Sequence, residues 1–324
     1  DHIEFFGYYE GAKGVSGDYF NYLQIDSEHY AIIKCDVAGK GVPAALIMVE
    51  VATLYLSYFR SWNVSKVDEM PEIVETINDL LEERGFKGRF AAFTLAILNI
   101  RTGLVRICNA GDTLLYTYRA ASGQLEQTTL PSMPAAGVFP SDLMPNGFPQ
   151  VNHQLEVGDI LVLFTDGLEE AQRHLRDEEF KVMWTKDSDG NDVDNEEFGI
   201  PRINEIVRAV ESRGVYRLER KLNPVPEDLV FDFSQLEPTG ENAVLALIAI
   251  EKVFRLVPDP TATGEDRVYV DVVVDEFLSR TFNAYPEYFR YHDESRSNEN
   301  YRVYSHLMEE EQYDDLTVLS VRKK

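Results

Sequence analysis

Hydrophobic and polar positions change rhythm along the chain. Tyr30 to Asp36 (YAIIKCD) is a short apolar run of strand length. Pro43 then opens a helix running toward Trp62, because proline at a first helical position loses no hydrogen bond. The spacing of Ile73, Val74, Ile77, Leu80 and Leu81 predicts a second helix over Pro71–Arg84, with Gly85 placed to end it. Phe90–Ile100, Leu104–Asn109, Leu114–Tyr118 and Ile160–Thr165 read as strands, joined in part by turns at Arg101-Thr102-Gly103 and Ala121-Ser122-Gly123.

Two helices followed by hairpin-linked strands predict an α+β layered fold rather than a parallel α/β sheet. Beyond Asp166 the pattern weakens. Ile203, Ile206, Val207 and Val210 mark a helix ending near Gly214. Asn242–Val253 and Val272–Phe282 fit either helix or strand, since an unbroken apolar run has no diagnostic period. Asp187–Glu197, Asp259–Asp266 and His292–Asn300 are polar and read as loops, and Leu316–Val321 as a final strand. No internal repeat appears, and no linker demands two domains, so 1–324 reads as one domain.

Composition narrows the function. In 324 residues, 31 basic and 56 acidic side chains give a formal charge of −25. At 44% hydrophobic the chain has material for a core and needs no disulfide or structural zinc. Such a negative surface repels phosphate backbones and anionic headgroups, which argues against nucleic acid or direct membrane contact. No unbroken run of about 18 apolar residues occurs. Two cysteines, Cys35 and Cys108, lie in apolar runs and suit a reducing, cytoplasmic compartment. The chain starts at Asp1 without a leader pattern, so it reads as the catalytic fragment of something longer.

Four places set an aspartate beside small residues or at a strand end: Gly17-Asp18-Tyr19, Asp36-Val37-Ala38-Gly39-Lys40-Gly41, Thr165-Asp166-Gly167 and Asp314-Asp315-Leu316-Thr317. Hard divalent cations take oxygen ligands and keep several waters, which short carboxylates flanked by glycine permit. One such aspartate is an ordinary cap or turn residue. Four in separate segments point to metal. Other chemistries fail on spacing. A cysteine phosphatase needs an arginine six positions beyond its nucleophile, where Cys35 has Gly41 and Cys108 has Leu114. Gly39-Lys40-Gly41 lacks the rest of a P-loop, and the six histidines never pair as HExxH. His29 and His153 read as loop residues.

VSGDYFNY, DVAGKGVPAAL, NAGDTLLY, LEVGDILVLFTDGLEEA and DDLTVLSV, in that order, resemble the type-2C (PPM) metal-dependent serine/threonine protein phosphatases, in the bacterial SpoIIE/RsbU-like branch. The resemblance covers Phe5 to about Ala171 and Asp314 to Arg322. It implies a four-layer αββα sandwich, two antiparallel sheets flanked by helix pairs, with two Mn²⁺ or Mg²⁺ ions at one edge. Carried over position by position, it assigns Asp18 to one metal, Asp36 to both, with the Val37 backbone carbonyl as a further ligand, and Asp166 and Asp314 to the other. Asp36 and Asp18 would then activate a metal-bound water. Asp315 stands where many relatives have asparagine and is expected beside the site, since neighbours on a strand face opposite ways.

The resemblance also implies a phosphorylated protein substrate, an anti-anti-sigma (STAS-domain) factor, in a partner-switching circuit. A missing N-terminal sensor, which could be membrane-attached, would control activity, and a homodimer is compatible. The sequence departs from the branch in places. Asp112 stands where histidine is common, and the phosphate-gripping arginine of eukaryotic relatives has no match. Lys13 and Lys40 are candidates to replace it. Asp314 falls 148 positions after Asp166, so about 215–300 reads as an insertion for recognition or dimerisation, or as a surface lobe. Two alternatives stand beside a protein phosphatase: a non-catalytic phosphatase-like binding module, and a phosphohydrolase of small molecules.

Overall fold

A computed structural model describes residues 2–12, 15–63, 66–85, 88–177, 181–187, 189–219, 229–258, 267–312 and 314–324. The chain divides into two compact units, Asp1–Gly167 with Asp314–Lys324, and Leu168–Tyr313.

The first unit holds two five-stranded antiparallel sheets. Its strands are β1 (Ile3–Glu10), β2 (Tyr19–Gln24), β3 (His29–Val37), β4 (Ala91–Asn99), β5 (Leu104–Ala110), β6 (Leu114–Arg119), β7 (Gln124–Thr129), β8 (Gln150–Gln154), β9 (Ile160–Phe164) and a C-terminal strand, Leu316–Lys323. One sheet runs β1, C-terminal strand, β9, β6, β7; the other runs β2-β3-β4-β5-β8. Helices α1 (Val42–Arg60) and α2 (Met70–Arg84) pack on β3 and β5 of the second sheet. The fold is α+β, as expected, and within this unit α1 and α2 are the only described helices longer than one turn.

Strand alternation builds two cores. In β3 and β4, Ile33, Cys35, Val37, Phe93, Leu95 and Ile97 face the helices and meet Ile47, Val51, Tyr55, Ile73 and Ile77. Ile32, Ala96 and Leu98 face the other sheet and meet Leu161, Leu163, Leu319 and Val321. Lys34 and Asp36 share the parity of Ile32, so the same alternation turns them toward the sheet-to-sheet side.

Several sequence expectations meet their elements closely. Gly85 caps α2 with φ +62°, a left-handed conformation that suits glycine. α1 is long and apolar enough to cross a membrane by length and composition alone. Pro43, Glu50, Thr53 and Ser57 interrupt its sequence, and Ala44, Ile47, Val51, Tyr55 and Phe59 are buried in the core. β1 and β2 were not anticipated: their mixed polar and aromatic sequences lack a strong period.

Two histidine expectations are corrected. His29 opens β3 and His153 lies within β8, and both are buried. Each has a polar partner that makes burial tolerable: the Asp26 carboxylate 3.0 Å from His29 Nδ1, and the Thr117 hydroxyl 2.9 Å from His153 Nε2.

The second unit spans the segment 215–300 and begins earlier than it, at Leu168. Its described helices longer than one turn are Gly199–Glu211, Gly240–Arg255 and Val272–Thr281. Both ambiguous apolar runs are therefore helices. Gly240–Arg255 is buried around nearly its whole circumference, which erases the period that would have identified it. Asp187–Glu197 holds short strands at Asp192–Val193 and Asn195–Glu197 rather than only loop. Asp259–Asp266 lies outside the described residues.

Candidate metal centre

Four separated segments of the first unit meet at the loop side of the two sheets. Asp36 is the next-to-last residue of β3, opposite Ala92. Asp166 follows β9 and opens a single helical turn, Asp166–Glu169. Asp314 and Asp315 precede the C-terminal strand, which pairs with β9 and so lies beside Asp166. Asp18 precedes β2, which pairs with β3 and so lies beside Asp36.

Backbone contacts draw these segments tight. A Cβ on Gly167 would stand 2.0 Å from the Asp315 carbonyl oxygen, so only glycine lets the two chains pass there. A Cβ on Gly17 would stand 2.9 Å from the Val37 carbonyl oxygen. Leaving that Cβ out keeps open the face of the carbonyl expected to bind metal. The Asp315 carboxylate accepts the N–H groups of Ala12 and Gly17, each at 2.8 Å, and thereby ties the loop before Asp18 to the far end of the chain. Asp315 is buried and serves as a clamp. Thr165 donates its hydroxyl to Asp18 at 2.7 Å and accepts the Thr317 N–H at 3.1 Å.

The carboxyls feel one another. Asp18 is buried, and its carboxyl is pushed up to about 8, first by burial and then by the Asp36 charge; the Thr165 hydrogen bond pulls the other way. Thr317 Oγ1 is buried and makes no hydrogen bond of ordinary geometry. Asp36 is pushed up to about 7 by burial, then by Asp166 and Asp314. Asp166 is raised by desolvation and then by Asp314.

Two lysines offset this charge in part. Lys34 crosses from β3 to the other sheet, where its Nζ donates to the Phe164 carbonyl at 3.1 Å and lies 2.7 Å from Asp112 Oδ2. Thr94 also donates to Asp112. Asp112, a departure from the branch pattern, thus has a buried cation as partner. Lys40 Nζ stands 3.3 Å from Asp314 Oδ2. Lys13 lies outside the described residues.

A hard divalent cation suits this donor set: carboxylates and one carbonyl, with space beside a missing Cβ, and two acids that burial and mutual repulsion push toward protonation. Among the described residues, no group of three or more His, Cys, Asp or Glu is arranged to hold a metal ion as placed. The structure brings Asp18, Asp36, Asp166 and Asp314 into one electrostatic cluster without forming a closed cage. Neither cysteine competes as a nucleophile, because both thiols are buried and raised, Cys108 to about 12.

Sequence reasoning missed Lys34, Thr165 and Thr317. Lys34 was findable as the lone basic residue inside YAIIKCD, two residues before Asp36 and hence on its face.

The family model for stage II sporulation protein E (SpoIIE) matches residues 26–188, half of the chain. This chain belongs to the SpoIIE family. The segment matched to the SpoIIE model holds Asp36 and Asp166, while Asp18 and Asp314 lie outside it and reach the centre through the fold. Phosphoserine phosphatase RsbU of Bacillus subtilis is 26% identical over 168 residues, 50% of this chain and 45% of RsbU. Stage II sporulation protein E of the same organism is 24% identical over 178 residues, 54% of this chain and 20% of that protein. The matched part spans less than half the length of either relative. A serine/threonine phosphatase structure from S. agalactiae aligns over the full length of both chains with a TM-score of 0.52 at 13% identity, a likeness of fold.

Proposed function

We propose that this SpoIIE-family chain is a metal-dependent phosphoserine/phosphothreonine protein phosphatase. The observation that carries this reading is the convergence of Asp18, Asp36, Asp166 and Asp314, with Asp18 pushed up by burial and then by Asp36, and Asp36 by burial and then by Asp166 and Asp314. Asp18, Asp36, the Val37 carbonyl, Asp166 and Asp314 would hold two Mn²⁺ or Mg²⁺ ions. Bound there, the ions would lower the pKa of water toward neutrality and offset charge on a phosphoryl group.

The chain's own part is to bind and orient. Thr165 fixes the Asp18 carboxylate at 2.7 Å, which keeps one oxygen in place and leaves the other for a ligand. Asp315 immobilises Gly17, and through it Asp18. Lys34, held by Asp112 and Phe164, stabilises the ionised form of Asp36 from behind. Lys40, beside Asp314, is the described cation best placed to meet a phosphate oxygen. No side chain needs to become phosphorylated, in keeping with the buried thiols.

Named relatives extend the reading. RsbU of B. subtilis is a phosphoserine phosphatase, and this chain's substrate is proposed to be a phosphorylated anti-anti-sigma (STAS-domain) protein in a partner-switching circuit. A cytoplasmic site of action under an N-terminal sensor belongs to the same proposal.

The test is Mn²⁺-dependent hydrolysis of para-nitrophenyl phosphate. Asp36→Asn and Asp166→Asn should each lower turnover at least a thousandfold, and wild-type-like rates in either would refute the assignment. A second reading, a non-catalytic binding module, draws on the size of the second unit and on Asp112, the departure from the branch pattern that pairs with Lys34. It requires that the wild-type chain hydrolyse nothing at saturating Mn²⁺.

A further inference from the structure

The loop that follows Asp36 is braced from one side by the residues leading into β4. Ala38 donates its N–H to the Phe90 carbonyl at 2.9 Å, and Arg89 Nη1 donates to the Ala38 carbonyl at 3.3 Å. Gly39, at φ +95°, gives the guanidinium its seat: a Cβ there would lie 2.3 Å from Arg89 Nη1. Arg89 and Phe90 of this brace also line an open hollow of about 340 Å³. Its walls are Glu82 at the end of α2, Arg89, Phe90 and Val138, with glycine backbone at Gly88 and Gly137.

Phe90 and Val138 are 40% and 41% exposed, two apolar side chains presented to solvent around one concavity. Gly88 has φ of +71° with open space where a Cβ would stand, so the rim there is bare backbone that another chain can approach closely, while Gly137, at φ +89°, packs against Leu81. Gly137 is itself held in place, its N–H bonded to the fully buried Asn78 of α2 at 3.0 Å. The hollow is therefore built on anchored backbone, with an apolar lining and a guanidinium that can donate to carbonyl oxygens.

Its position suggests its occupant. A phosphate ester carried by a protein cannot reach the acidic centre alone. The residues on either side of the phosphoserine follow at roughly 3.3–3.6 Å each, and must lie on surface continuous with the centre. The hollow is joined to the loop after Asp36 by the two hydrogen bonds at Ala38.

We propose that this hollow is the subsite for the residues flanking the phosphoserine, accepting an apolar side chain against Phe90 and Val138 while Arg89 donates to the substrate's main-chain carbonyls. The proposal rests on the phosphatase reading and adds a sequence preference to it. A small ester such as para-nitrophenyl phosphate has nothing to place there, so the subsite acts on peptide substrates selectively.

Three probes separate the outcomes: para-nitrophenyl phosphate, a nonapeptide with central phosphoserine flanked by leucines, and the same peptide flanked by aspartates. With Mn²⁺, the wild-type chain should show a kcat/KM for the leucine peptide at least fivefold above that for the aspartate peptide. In Phe90→Ser and in Val138→Ser, the ratio of leucine-peptide to para-nitrophenyl phosphate kcat/KM should fall at least fivefold, through KM. Equal rates on both peptides in the wild type, or an intact preference in both variants, would overturn the proposal. So would an equal loss on all three probes in Val138→Ser, whose side chain is not bonded to the Asp36 loop. Failure of the wild type on every probe would instead sink the phosphatase reading, and the subsite with it.

Discussion

Asp315 holds Gly17: the carboxylate of one accepts the backbone N–H of the other at 2.8 Å, across 298 positions of sequence. The second carboxylate oxygen accepts the Ala12 N–H, so both oxygens are engaged in fixing the loop that presents Asp18. An aspartate used this way shapes the centre without donating to an ion.

Replacing Asp315 should therefore weaken metal binding without removing a ligand. Asp315→Ala is expected to raise the Mn²⁺ concentration for half-maximal activity roughly tenfold, in the range found when groups supporting metal ligands are lost. Activity should recover at saturating Mn²⁺. Titrating Mn²⁺ against para-nitrophenyl phosphate turnover reads this out. An absolute loss that no metal concentration rescues would make Asp315 a ligand and contradict its role as a clamp.

The raised acids predict a pH dependence of the metal-free protein. Asp18 and Asp36 ionise near 8 and 7 in the folded chain, well above an ordinary aspartate at about 3.9. The folded state thus keeps protons that the unfolded chain has already lost. Stability should fall as pH rises from about 4 through 7 and 8. Thermal denaturation without metal should show this fall, and Asp36→Asn, which mimics the neutral acid, should flatten it. Saturating Mn²⁺ should raise the wild-type melting temperature at pH 8 by about 5 °C, since a ligand bound only to the folded state stabilises it. Superimposable pH profiles for wild type and Asp36→Asn would count against a mutually repelling cluster.

Lys34 and Asp112 form a largely buried ion pair behind the centre. Breaking such a pair on one side strands a charge, whereas replacing both members by apolar groups removes the problem. Lys34→Met should cost about 3 kcal/mol in urea unfolding, and the double variant Lys34→Met/Asp112→Leu should regain at least half. A single variant as stable as the wild type would show that the pair is not held out of water.

Much of the first unit was legible before any coordinates. The helices from Pro43 and Pro71 announce themselves because each buries one face, while the strands around Tyr30–Asp36, Phe90–Ile100 and Ile160–Thr165 are buried on both faces and stand out as short apolar runs of strand length. The second unit was harder. Gly240–Arg255 is buried on nearly every side and carries Glu251, Lys252 and Arg255 inside, with Lys252 and Arg255 paired to Glu309 from a distant strand. Its type could not be read from a local pattern, and although Glu251 and Arg255 pair within the helix, the Glu309 that balances Lys252 and Arg255 lies more than fifty positions away.

Local order along the chain determined which residues could be ligands: short acids beside glycine, at the ends of apolar runs, in a protein with acidic side chains to spare. That information is covalent and needs no folding to be present. Which acids converge, which clamps a loop and which is balanced by a lysine was decided only when antiparallel pairing laid the C-terminal strand against β9 and β2 against β3. Charge–charge repulsion and desolvation depend on distance and burial, and neither exists until the two sheets have closed on each other.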